Sequence, residues 1–187
     1  MQSARPATTK AFIGSFVLFL VTAAVISGKP LGLAQLLEIT GGATILDMTF
    51  TKGPESVYAV LFALGDVGRA FDLTHIVPLD LVFPFTYGLF LALGISWGLS
   101  RLLPEGSPLF LLNLAPVVAA VADYCENAGV ITLLLTYPVQ LDAVAWFVSV
   151  MYAMKFAFSA VSYIVLIAAL AGSAVRYLLH RKRRSPS

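Results

Sequence analysis

The sequence is poor in cysteine, histidine and charge, and each shortage removes a class of function. A single cysteine, Cys125, leaves no partner for an intramolecular disulfide or a reactive cysteine pair, so four-helix thiol oxidoreductases of similar size are excluded. The two histidines, His75 and His180, lie far apart and the second falls in a basic tail, which argues against the histidine-rich di-iron or zinc centres of membrane desaturases and hydroxylases. Nothing in the 187 residues matches a nucleophile motif, a phosphate loop or a metal-ligand spacing, so neither metal nor cofactor is expected. There is no internal repeat and the two halves do not mirror each other, which removes support for an inverted-repeat transporter.

Only 12% of the residues are charged, whereas about 25% is usual for a soluble domain, and 59% are hydrophobic. The apolar residues come in runs long enough for a bilayer, which needs about 20 residues for roughly 30 Å of hydrocarbon. The expected fold is therefore an all-α membrane protein: one domain over 1–187 and a bundle of four transmembrane helices at about 11–27, 81–99, 109–136 and 143–172. The first run also suits a secretory signal peptide, with Val25, Ile26 and Ser27 as a cleavage site, and three spans would remain if it were cut. The third is long enough that it must tilt, kink at Pro116 or project. The fourth can continue as one helix to Leu179.

Between the first two spans, residues 28–79 are too polar to cross. Gly41 and Gly42 separate two runs rich in β-formers, Leu36 to Thr40 and Ala43 to Phe50, and predict a short β-hairpin. Gly53, Pro54 and Glu55 then mark a helix start. Tyr58, Leu61, Phe62, Gly65 and Gly68 recur at helical spacing up to about Phe71, as in an amphipathic helix lying on the bilayer or capping the bundle. His75 reads as a solvated loop histidine.

Eight Lys and Arg residues fall on one side of these spans and three, Lys29, Lys52 and Arg69, on the other. The positive-inside rule then places both termini in the cytoplasm and 28–79 outside, in a cytoplasmic membrane of bacterial type. The basic tail, 176–187, directly follows a spanning helix, so it reads as an anchor to anionic lipid and not as a nucleic-acid patch. Membrane lipids, and a membrane-protein partner, are the partners this composition suits.

Asp123, Glu126, Asn127 and Lys155 are the unusual residues, because each ionisable group at bilayer depth costs about 2.5–3.5 kcal/mol on insertion scales unless it is paired or wetted. The first three are spaced i, i+3, i+4 and share one face of the third span; Tyr152, Lys155, Ser159 and Tyr163 share a face of the fourth. Counting inward from the helix ends puts both faces roughly 20 Å deep. Lys155 is therefore predicted to pair with Glu126 or Asp123, with Tyr87 joining from the second span and Asp80 nearer the outer mouth. Two acids against one ammonium leave a surplus that a proton retained on one acid would cancel. Such a cluster has a structural reading, fixing helix register, and functional ones: a ligand site, catalysis by a protonated carboxylate, or ion movement.

The run Glu55, Tyr58, Leu64, Gly65, Gly68 and Arg69, followed by Asp80, Phe83, Pro84 and Tyr87, and later Ala122, Asp123, Tyr124, Glu126 and Asn127, resembles a loosely defined group of small, mostly bacterial, four-span integral membrane proteins of unknown function. The resemblance covers roughly residues 47–130 and implies an architecture, without an activity. The chain departs from the group at Asp72, where an aromatic residue is the pattern. Arg69 bonded to Asp66 or Asp80 would tie residues 53–72, including Tyr58, over the bundle as a lid.

The reading that follows is an outward-facing intramembrane pocket for a small or lipidic ligand, built from Asp80, Tyr87, Asp123, Glu126, Asn127, Tyr152, Lys155 and Ser159. One alternative is a lipid-modifying enzyme with Asp123 or Glu126 as general acid or base and Lys155 stabilising negative charge. The other is a structural subunit of a membrane complex.

Overall fold

The computed structural model describes residues 6–182, so part of the basic tail lies outside the described residues. Seven helices follow one another: α1 (Pro6–Ser27), α2 (Leu33–Thr40), α3 (Pro54–Phe71), α4 (Val77–Asp80), α5 (Phe83–Leu102), α6 (Leu114–Thr136) and α7 (Asp142–Lys182). Four stretches are long and apolar enough to cross a membrane: Thr9–Ser27, Pro54–Leu102, Pro108–Thr136 and Asp142–Leu179. The fourth expected span is thus one continuous helix of 41 residues. The long third one is relieved at its start, where Pro108–Asn113 forms a tighter 3-10 turn before α6.

The predicted β-hairpin is not there, and among the described residues there is no strand. The first of its two runs belongs to α2, and Gly41 and Gly42 close that helix instead of turning a ribbon. Gly41 adopts a left-handed φ of +70°, and the N–H groups of both glycines donate to the Leu37 carbonyl. A glycine pair serves helix termination as readily as a hairpin, because both need positive φ. The second run is extended, with a 3-10 turn at Leu46–Met48, and it buries Ile45 and Leu46.

The stretch around His75, expected as loop, is helical as well. A wide π-type turn, Asp72–Ile76, joins α3 to α4, so His75 stands on a helix, stacked on Phe71 with ring centroids 4.4 Å apart. α3 buries Val57, Tyr58, Leu61, Leu64 and Gly68, the i, i+3/i+4 stripe of an amphipathic helix, while Phe62 faces outward.

Two apolar cores result. One gathers α2 and α3 with Val130, Leu133 and Leu134 of α6 and Ala145 and Val148 of α7. The other joins Tyr87 to Leu99 of α5 with Ala119 of α6 and Leu166 and Ala169 of α7. α1 lies along α5, where Phe12 and Phe19 stack on Phe90 at 5.9 and 5.1 Å and Thr22 shares a 2.8 Å hydroxyl bond with Thr86. Along α6, Asp123, Glu126 and Asn127 fall between Ala119 and Val130; along α7, Lys155 falls between Val148 and Leu166. The charged layer therefore separates the two apolar cores.

Candidate functional site

α5 and α7 run side by side and touch closely at one end. There the Gly98 carbonyl accepts from Ser173 Oγ at 3.0 Å, and Gly94 and Gly98 leave room for Leu166 and Ala169. Toward the other end the two helices carry large side chains, Phe83 and Tyr87 on α5 and Tyr152, Phe156 and Tyr163 on α7, and a cavity of about 430 Å³ opens among them. Spacing of three and four residues puts Tyr152, Lys155, Phe156, Ser159 and Tyr163 on the cavity side of α7. Asp123 of α6 and Asp47 and Met48 of the 3-10 turn complete the lining.

Lys155 is the centre of the charged layer. Its Nζ lies 2.6 Å from Glu126 Oε2 and 3.5 Å from Asp123 Oδ1, and it also forms an ion pair with Asp47. Tyr87 donates its hydroxyl to Asp123 at 3.1 Å, and Asn127 donates to the Asp80 carbonyl at 3.3 Å. Both acids predicted as partners of Lys155 are thus in contact with it. Asp80 is almost fully buried, and one carboxylate oxygen from each of Asp47, Asp80 and Asp123 lies within 4.8 Å of the others. That trio has the oxygen chemistry of a hard-cation site, but the ammonium already sits against two of its members.

Glu126 is fully buried and poorly satisfied. Its Oε2 reaches Lys155 without hydrogen-bond alignment, and Oε1 has no partner. Asp47 is the member that spacing did not reveal, since it lies 76 positions before Asp123 and reaches the layer only because Ile45 and Leu46 anchor its turn in the core. An acid set between apolar neighbours, Leu46 and Met48, was the available signal.

Neither residue assigned to the lid, Tyr58 or Arg69, lines the cavity, and of the two partners expected for Arg69 it is Asp66 that bonds it. Arg69 pairs with Asp66, donates to the Leu61 carbonyl at 2.6 Å and stacks 3.9 Å from the Tyr137 ring, so it holds α3 to the α6–α7 turn and does not bond Asp80. Tyr58 is buried, and its hydroxyl accepts from the Leu141 N–H in that same turn. Tyr58→Phe is expected to cost about 1 kcal/mol, the worth of one intramolecular hydrogen bond. Thermal unfolding should show that small loss, together with faster proteolysis near Leu141.

In comparisons with known proteins, no family model, no curated protein and no solved structure matches the chain.

Proposed function

We propose that the chain is a multi-pass protein of a bacterial-type cytoplasmic membrane, with both termini in the cytoplasm, that binds a membrane-borne amphiphile between α5 and α7. The observation carrying this reading is the pairing of an aromatic-walled cavity with a charged floor. At about 430 Å³ it is in the size range of small-molecule sites, mostly apolar with a few convergent polar groups. Its rim supports entry from the bilayer. Met48, Phe156 and Tyr163 are exposed there, Phe156 by 64%, and an apolar rim on the flank of a helix bundle suits an occupant dissolved in hydrocarbon better than one arriving from water.

Lipid modification at the same place is the rival reading. It would use Asp123, which lines the cavity and is held by Tyr87, in preference to Glu126, which does not line it. Turnover of the bound molecule would promote that reading.

The test is mass spectrometry of molecules that copurify in mild detergent, comparing wild type with Ser159→Trp, which fills the cavity from its wall. A defined amphiphile enriched in wild type and lost from a variant with an unchanged unfolding transition is the expected result. Equal lipid profiles from two equally folded proteins would refute the proposal.

A further inference from the structure

We infer that the end of the ligand reaching the floor of this cavity is an organic ammonium group. The inference rests on the binding reading above and adds the chemical class. Three carboxylates, Asp47, Asp123 and Glu126, contact the Lys155 ammonium and a fourth, Asp80, lies close to two of them, so acids outnumber the one cation even where some retain a proton. Among the described residues no second Lys or Arg pairs with any of the four. A second observation is independent of that count: Asp47 and Asp123 line the open, aromatic-walled cavity, so part of this acidic layer faces a space large enough for a ligand. Lys155 alone does not satisfy the layer.

The walls select the kind of cation. Phe83, Tyr87, Tyr152, Phe156 and Tyr163 surround the space, and aromatic faces attract cations through the ring quadrupole. Lys155 already lies in this relation to one of them, with Nζ 5.3 Å from the Tyr152 ring centroid. A bare metal ion at Asp47, Asp80 and Asp123 would sit against the Lys155 ammonium and leave the aromatic volume empty. A phosphate or carboxylate head would meet one ammonium that already contacts three acids, with like charge close by. An alkyl ammonium uses both halves of the site: its charge meets Asp47 and Asp123, which line the cavity, and its chain lies along the rings.

The inference is tested by titrating the full chain in lipid nanodiscs with three probes of equal chain length, decyltrimethylammonium, decanol and decyl phosphate. Wild type should bind the ammonium at least about tenfold more tightly than decanol, with decyl phosphate weakest. Asp47→Asn should remove most of that advantage, read as the ratio of ammonium to decanol binding in the same variant, while Asp47→Glu should keep it. Ser159→Trp should weaken all three probes. If Ser159→Trp weakens all three but decanol or decyl phosphate matches the ammonium in wild type, the cavity binds ligands and the ammonium assignment is wrong. Binding that Ser159→Trp leaves untouched would overturn the cavity reading itself. Magnesium binding that Asp47→Asn abolishes, with no ammonium binding, would also overturn the assignment.

Discussion

Lys155→Met is expected to lower stability by about 3–5 kcal/mol, the range measured when one partner of a buried ion pair is removed. The loss should be large because three carboxylates, Asp47, Asp123 and Glu126, lose their shared cation at once in a largely buried layer between the two apolar cores. Glu126→Gln should behave differently. It removes one of several acids, keeps the shape of the side chain and leaves Lys155 with Asp47 and Asp123, so stability should change by less than about 1 kcal/mol in either direction. A simple one-to-one pair would give comparable losses from both substitutions. Denaturant unfolding in mixed micelles, with the double variant to complete a cycle, separates the two arrangements.

Gly98→Val is expected to have the second largest effect, a loss of about 3 kcal/mol, at the upper end for overpacking. A Cβ at Gly98 would stand 2.7 Å from Ala169 Cβ and 3.1 Å from the Ala169 carbonyl carbon. Backbone cannot turn aside as a flexible side chain can, so α5 and α7 must separate. In apolar surroundings helices associate through close packing of small residues, and no hydrophobic effect replaces that packing once the helices part. Ser173 would also lose its bond to the Gly98 carbonyl, though it keeps the one to Ala169 at 2.8 Å. Because the same two helices frame the cavity further along, the variant should bind the amphiphile more weakly as well as unfold more easily. Gly98→Ala should show both effects to a smaller degree, and unfolding curves paired with ligand titration would establish whether they move together.

The long helices and the charged layer were legible in the sequence because both depend on local rules. Apolar run length fixes a span, and i, i+3, i+4 spacing fixes which face Asp123, Glu126 and Asn127 share. Depth counted from the helix ends correctly brought Lys155 level with them. The segment between α1 and α5 was harder to read. Gly41 and Gly42 carry the same positive-φ signal whether they cap a helix or turn a hairpin, and only the burial of Leu36 against the core decides between them. His75 reads as a loop residue, yet it stands in a helical turn whose flanking acids, Asp72 and Asp80, are buried, and burial is a tertiary fact. Asp47 could not be placed for the same reason: its ion-pair partner, Lys155, lies 108 positions away, and no periodicity links them.

The central claim is that the cavity above Lys155 holds one defined amphiphile in the membrane. The most direct test replaces Tyr152 with p-benzoylphenylalanine, irradiates intact membranes and reads the mass of the adduct. One discrete added mass that disappears when Ser159→Trp is combined with the label is the predicted result. A spread of masses matching the bulk phospholipids, the same with and without Ser159→Trp, would contradict the account.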